Sequence, residues 1–309
     1  MDDETFSHAS ARQYRRSQGG KVLQKDSLYL SSKPAIRSRL RLFLGKNYYM
    51  GRRYLRWLIH PSVRYAKTMR SDFLPYAVMA HHTPLYRPLR NVDHWLQENK
   101  VINLKLAVKK IDGLVLKPGE TLSLWRRIGK PSKIKGYRQG MVLTNGSFTA
   151  GTGGGLCQLS NLVYWLTLHT PLTVTERWRH THDVFPDVNR TLPFGSGATI
   201  VYNYVDLQIK NETAQAYQLL AQVDDTELKG EWRAEQPPSQ RYEVYESAHR
   251  ITQEWWGGYM RHNEIRRRVF MEERQTGDEW IVENHAVMMY EPLLGEGEAA
   301  GSHPLDPER

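Results

Sequence analysis

Three consecutive glycines directly before an apolar helical pattern constrain the fold of this chain more than any other feature. The stretch TAGTGGGLCQLSNLVYWLTLHT begins at Thr149 and holds Cys157, the one cysteine among the 309 residues. Glycine is unfavourable inside a helix, so a helix here is expected to begin after Gly155. Apolar residues then recur at helical spacing until Pro171 ends the pattern: Leu156, Leu159, Leu162, Val163 and Leu166. The sequence predicts a helix over residues 156–168 with a thiol in its first turn.

A thiol at the start of a helix lies where its anion is stabilised. The first amides of a helix have no partner within the helix, and the aligned peptide dipoles place partial positive charge there. Glycines just upstream let backbone N–H groups approach a bound oxygen anion, as the transition state of acyl transfer requires. We therefore predict Cys157 as a nucleophile, with Gly153, Gly154, Gly155 and Gln158 as binding residues.

Two histidines downstream supply candidate bases for this thiol. The segment RWRHTH contains His180 and His182, whose rings share one face if the chain is extended there. Asp206, in the later segment NYVDLQ, is the predicted carboxylate that orients an imidazole, and Arg179 joins the predicted binding residues. The chain order Cys, His, Asp also occurs in papain-like and transglutaminase-like enzymes, which is an analogy of fold only.

The same residues allow two other interpretations. Cys157, His180 and His182 are three zinc ligands, enough for a catalytic metal site with one open position, although the main prediction includes no cofactor. Alternatively, Cys157 is a small packed side chain, and the glycines with the helix start bind a carboxylate or phosphate without catalysis. The sequence leaves all three interpretations open.

Composition and charge bound the class of protein. A single cysteine excludes an intramolecular disulfide framework, the N-terminus lacks the apolar core of a signal peptide, and no apolar run has the length of a membrane span, so we expect a cytoplasmic protein. Residues 1–70 hold 16 Lys/Arg against 4 Asp/Glu, a net +12, whereas the remainder of the +10 chain sums to −2. Residues 35–70 are predicted to form a basic amphipathic helical segment that can contact an anionic membrane. No nucleic-acid-reading motif is present in the sequence, so we expect no specific nucleic acid partner.

The pattern along the chain predicts an α+β protein whose cysteine-bearing helix packs on a largely antiparallel sheet. Residues 1–34 and 293–309 are predicted to be disordered, 71–211 to form a mixed α+β domain, and 212–292 to form an antiparallel strand-rich extension. Within the mixed domain, the apolar run over residues 198–211 predicts a continuous strand. Whether the extension completes the same sheet is left open.

Five segments in this order resemble the VanW family, across about residues 100–211. They are NLKLAVKKIDGLVLKPGETLSLW, KGYRQGMVLTNG, GTGGGLCQLSNLVYWLTLH, ERWRHTH and PFGSGATIVYNYVDLQIKN. The resemblance implies a link to cell-wall or glycopeptide-resistance biology, with a cell-wall precursor or peptide as the expected substrate. Two positions depart from the family pattern: Gly197 stands where many relatives have aspartate, and Asn161 where they often have threonine.

Overall fold

The computed structural model describes residues 38–59, 62–86, 93–144, 147–180, 182–184 and 191–290, and confirms the α+β prediction. Both terminal segments predicted to be disordered lie outside these residues. The helices are α1 (Arg39–Ile59), α2 (His94–Val108), α3 (Leu124–Ile128) and α4 (Cys157–Leu168). The strands are β1 (Arg64–Tyr65), β2 (Tyr76–Pro84), β3 (Leu114–Leu116), β4 (Glu120–Ser123), β5 (Gln139–Thr144), β6 (Ser147–Thr152), β7 (Thr173–Glu176), β8 (His182–Asp183), β9 (Gln208–Lys210), β10 (Tyr217–Val223), β11 (Glu227–Ala234), β12 (Arg241–Gln253), β13 (Tyr259–Met271) and β14 (Arg274–Met288).

The cysteine-bearing helix α4 packs on an antiparallel sheet with the order β2-β11-β10-β3. Gly230 of β11 has no side chain, and Leu162 and Leu166 of α4 fill the space that a Cβ there would need. Trp232 is fully buried beside them and donates its indole N–H to Thr167 Oγ1 (3.1 Å). This close fit of helix to sheet fixes the direction in which the start of α4 points.

The described residues form two further four-stranded sheets and the two-stranded sheet β5-β6. The first has the order β1-β4-β9-β7, and the second joins the long hairpins β12-β13-β14 to the short strand β8. The strands β10 and β11 belong to the same sheet as β2 and β3. This sheet therefore contains strands from both sides of the predicted boundary at residues 211/212. The strands after residue 240 (β12, β13 and β14) lie in a different sheet, which also includes β8 from the preceding part of the chain.

The predicted continuous strand over residues 198–211 was wrong. Val201 and Val205 exchange both backbone hydrogen bonds (2.9 and 3.1 Å) and close a tight loop of three residues between them. The regular strand β9 therefore covers only Gln208–Lys210. Residues 198–211 are apolar because the chain is buried before and after the loop. Periodicity alone does not distinguish such a buried loop from a buried strand.

A buried ionic network joins the basic helix α1 to the rest of the protein. Arg53 is 7% exposed and makes a bidentate pair with Glu176 of β7, with N–O distances of 2.7 and 2.5 Å. Its guanidinium also donates to the backbone oxygen of Tyr204 (2.9 Å). Glu176 in turn accepts hydrogen bonds from Trp178 Nε1 (2.9 Å) and Gln208 Nε2 (2.9 Å). Because the pair is buried and every oxygen is bonded, α1 is held in one orientation.

Asp206 lies in the same network and is fully buried. Its Oδ1 accepts the backbone N–H of Trp125 (3.1 Å), and its Oδ2 lies 2.5 Å from Ser123 Oγ, so the carboxyl group holds the start of α3. Burial, followed by the charge of Glu176, raises the pKa of Asp206 to about 7, although Arg53 acts in the opposite direction. The folded protein therefore favours the protonated carboxyl group.

The raised pKa of Asp206 predicts that the protein loses stability as the pH rises. The stabilising contribution of Asp206 is complete below the pKa of about 4 that it has in the unfolded chain, and it is lost as the pH rises through the pKa of the folded protein. We expect the free energy of unfolding to decrease by ~2–4 kcal/mol over this range. Asp206→Asn keeps an acceptor for Trp125 and a donor for Ser123, so it is expected to remove this part of the pH dependence. Urea unfolding of both proteins between about pH 4 and 8 measures it. The control is Asp72→Asn, which changes an exposed carboxylate whose pKa is lowered by Arg70, and an unchanged slope in the Asp206 variant would contradict the prediction.

Candidate functional site

The glycine loop (residues 153–155) connects β6 to α4 and is held by a buried asparagine. Asn103 of α2 donates its amide group to the backbone oxygens of Gly154 (2.9 Å) and Arg138 (3.0 Å), and accepts from Arg138 N (2.8 Å). A Cβ at Gly154 would overlap the backbone of Gly140 in β5. Gly155 has φ +90°, a conformation that favours glycine. The loop is therefore rigidly packed rather than a flexible connection.

Three successive backbone N–H groups at the end of this loop have no hydrogen-bond acceptor among the described residues. Within the described residues, no backbone or side-chain acceptor binds the N–H of Gly155, Leu156 or Cys157, whereas the next amide, of Gln158, donates to the oxygen of Gly155 (3.1 Å). Gly155 has positive φ and Leu156 is helical (φ −65°, ψ −16°), the combination that turns successive amides toward one point. This arrangement is suited to binding an oxygen anion.

Cys157 is half-buried at the first position of α4. Its thiol donates to the backbone oxygen of Ile200 (S–O distance 3.7 Å), and its side chain packs against the hydrophobic core. Two neighbours on the same turns bind the same stretch of chain: Ser160 Oγ donates to the oxygen of Ala198 (2.5 Å), and Asn161 Oδ1 accepts Ala198 N–H (2.8 Å). The bridging segment (residues 194–200) thus lies directly against the thiol.

Gln158, predicted as a binding residue, has its amide group occupied. Its Nε2 donates to Thr83 Oγ1 (2.9 Å) and to the backbone oxygen of Pro84 (2.9 Å), both at the end of β2. These bonds tie the first turn of α4 to the sheet. The side chain stabilises the position of Cys157, and its N–H donors are used by β2 and not by an anion bound at residues 155–157.

The structure places the two histidines in different settings. His182 lies in β8, opposite Val287 of β14, whereas His180 lies in irregular chain after β7. Both are half-buried, and neither is a hydrogen-bond partner of Cys157, whose thiol bonds to Ile200. Arg179 places its guanidinium 4.0 Å from the ring of Phe194, at the start of the bridging segment. The catalytic pairing of the thiol with either ring is therefore not formed in this conformation.

Asp206 is not brought to either histidine. Its two carboxyl oxygens are bonded to Ser123 and Trp125, and its nearest charged neighbours are Glu176 and Arg53. The predicted order Cys, His, Asp is thus present along the chain without the predicted contact between the last two. A different carboxylate, Asp183, lies next to His182 in sequence but binds Tyr290 (2.8 Å) and Arg261 (3.3 Å).

The alternative zinc site is also not assembled. In the parts of the chain that the structure describes, no three His, Cys, Asp or Glu side chains are grouped closely enough to hold a metal ion. Cys157, His180 and His182 all lie within these parts, so their proximity in sequence does not translate into a ligand set.

Sequence reasoning missed the polar residues that hold the site in place. Asn103 and Ser160 are buried and Arg177 is half-buried, and Arg177 donates to the backbone oxygens of Gly197 (2.9 Å) and Gly195. The available signal was a polar residue on the apolar face of a predicted helix, because Asn103 lies one helical turn before Ala107. Such residues are retained only if a partner satisfies them.

The two departures from the family pattern lie in direct contact, which predicts coupled effects on stability. A Cβ at Gly197 would come within 2.5 Å of Asn161 Oδ1. Gly197→Ala is therefore expected to lower the free energy of unfolding by ~1–3 kcal/mol, and Asn161→Ala to lower it by ~1 kcal/mol through the lost bond to Ala198. The double variant is expected to lose less than the sum, as a double-mutant cycle by chemical denaturation measures. Strictly additive losses would contradict the contact.

Comparisons with known proteins match the part of the chain that contains this region. A family model described as VanW like protein matches residues 99–233, which include most of α2, the glycine loop, α4 and the bridging segment. Vancomycin B-type resistance protein VanW of Enterococcus faecalis is 38% identical over 195 residues, covering 63% of this chain and 71% of the relative. Uncharacterized protein YoaR of Bacillus subtilis is 32% identical over 113 residues, 37% of this chain and 36% of that protein. No solved structure matches the chain. The chain belongs to the VanW family.

Proposed function

We propose that this chain takes part in resistance to glycopeptide antibiotics and acts on a cell-wall precursor or peptide at the start of α4. The biological role follows the printed name of the relative that shares 38% identity with it. The proposed reaction is cysteine-dependent acyl transfer or hydrolysis of an amide. Cys157 is the proposed nucleophile, and the amides of Gly155, Leu156 and Cys157 are the proposed oxyanion donors.

One observation carries this proposal: a partly exposed thiol lies on the same residues that present three free backbone donors. In acyl transfer, the sulfur attacks the carbonyl carbon and the carbonyl oxygen becomes an anion that needs such donors. An imidazole takes the thiol proton and passes it to the leaving nitrogen. The resulting thioester is then released to water or to an acceptor amine. The sulfur thus returns to its starting state.

The base in this scheme is His180 or His182, which both lie on the segment between β7 and the bridging segment. Substrate binding has to bring one ring to the sulfur, since the thiol bonds to Ile200 in the free protein. Catalytic hydrogen bonds often tighten only in the complex with substrate. The carboxylate that would orient the ring is not Asp206, whose oxygens are bonded elsewhere.

Reaction with iodoacetamide tests the nucleophile. Since Cys157 is the one thiol in the chain, its alkylation at about pH 6 to 7 is expected to be at least ~10-fold faster than that of glutathione. His180→Gln and His182→Gln, measured separately, are expected to leave alkylation of the free protein unchanged, because the thiol bonds to Ile200 and not to either ring before substrate binds.

Mass spectrometry of the intact protein measures the rate, and Cys157→Ser provides the unlabelled control. A thiol that stays unmodified until the protein is unfolded would overturn the proposed catalytic role.

A second candidate function is capture of a carboxylate or phosphate without catalysis. The hydrogen bond of the thiol to Ile200 favours it, because a sulfur that packs against the bridging segment needs no chemical role. The three free amides then form the whole binding site. This function needs Cys157 only for packing.

Anion binding distinguishes the two candidates. Millimolar phosphate or acetate is expected to shift the NMR amide signals of residues 155–157, both in the native protein and in Cys157→Ser. Gly155→Ala is expected to abolish the shifts, because the added Cβ meets the side chain of Lys100 and disfavours positive φ. Circular dichroism checks that each variant is folded. Loss of binding in a folded Cys157→Ser variant would exclude the purely binding role.

A further inference from the structure

The outward side of α1 carries a continuous apolar surface that the fold leaves uncovered. Leu40, Leu44, Tyr48, Leu55 and Leu58 recur at spacings of four, four, seven and three residues, which brings them to one side of the helix. We call these five residues the α1 stripe. All of them are exposed, from 54% for Leu55 to 83% for Leu58. Phe43 and Ile59 extend the exposed apolar area.

The opposite side of α1 is fixed to the protein, so the stripe has to face outward. Arg53 is bonded to Glu176 and to the oxygen of Tyr204, and Tyr54 Oη lies 2.6 Å from Tyr202 Oη. Trp57 is half-buried and packs against the core. Rotation of the helix that would bury the stripe would break the Arg53–Glu176 pair and leave a buried charge without its partner. The exposed apolar surface is therefore a stable feature of this arrangement.

The charge of α1 determines what can cover the stripe. The helix has six basic residues and no acidic one, namely Arg39, Arg41, Lys46, Arg52, Arg53 and Arg56. Of these, Arg41, Arg52 and Arg56 are exposed beside the stripe. An anionic partner gains from this charge, whereas a second copy of the helix packed on the stripe would bring two strongly basic segments together.

We propose that the α1 stripe docks the protein on the surface of a bilayer that contains anionic lipid. The helix, about 30 Å long at 1.5 Å per residue, lies in the plane of the interface with its leucines among the acyl chains. The arginines at its side contact the headgroup phosphates, and its tyrosines suit the boundary between apolar and wet layers. None of the helices in the described ranges combines the length and apolar character that crossing a bilayer requires. This proposal is independent of the reaction proposed for Cys157.

Sedimentation with lipid vesicles tests the proposal. The full chain is expected to bind vesicles of phosphatidylcholine with about one third phosphatidylglycerol, and to be released as salt is raised from about 0.05 to 0.5 M. Leu44→Gln combined with Leu55→Gln is expected to weaken binding at least ~10-fold. Ile134→Gln is the matched control, because Ile134 is an equally apolar side chain, 99% exposed, outside α1. Its binding is expected to be unchanged.

Two double variants of the arginines separate the contribution of charge to vesicle binding from that of the apolar side chains. Arg52→Gln with Arg56→Gln is expected to weaken binding ~10-fold, and Arg52→Lys with Arg56→Lys to restore it. Equal binding of the leucine variant and the native protein, or equal binding to vesicles of phosphatidylcholine alone, would overturn the proposal. Analytical ultracentrifugation tests the other occupant. If the native protein does not bind vesicles but forms a dimer, and the dimer is lost in the leucine variant, the stripe binds a second copy of this chain and the proposal is overturned.

Discussion

The close approach of two backbones at Gly154 and Gly140 is the constraint on which the site depends. Neither position has room for a Cβ, and Asn103 satisfies the carbonyl groups that the contact buries. The loop is thereby held in a conformation with positive φ at Gly153 and Gly155, and α4 begins directly after it. The free amides and the thiol owe their common position to this packing. A looser loop would leave the same residues without a defined geometry.

Carboxylates in this protein mainly organise structure. Glu176 joins α1, β7 and β9 through five hydrogen bonds from four residues, and Asp206 holds the start of α3. Their proximity in a buried environment explains why the pKa of Asp206 is raised while Arg53 remains paired with Glu176. A perturbed pKa is often a sign of an active site. Here the raised pKa of Asp206 belongs to a structural network, and the candidate functional site lies in a different place, at the start of α4.

Much of the fold was predictable because the relevant signals are local. The start of α4 after the glycines and the end of the helix at residue 168 both follow from periodicity and from residues that interrupt it. The continuous strand over residues 198–211 failed, because a tight loop between Val201 and Val205 is stabilised by contacts with α1 and α3 that no local pattern encodes. That β10 and β11 join the sheet of β2 and β3 was likewise not predictable, because the paired strands are separated by more than 100 residues in the sequence.

For the site, the sequence by itself determined that a single thiol is present and where it lies on its helix. It also determined that α1 is basic and carries an apolar stripe, since both are properties of composition and helical spacing. Only the tertiary structure decided which polar groups meet. Gln158 bonds to β2, Asp206 to the start of α3 and the thiol to Ile200. Among the described residues, the amides of residues 155–157 have no hydrogen-bond acceptor, and the α1 stripe is exposed. The physical reason is that a hydrogen bond between distant residues depends on how helices and sheets pack, and packing is a property of the whole chain.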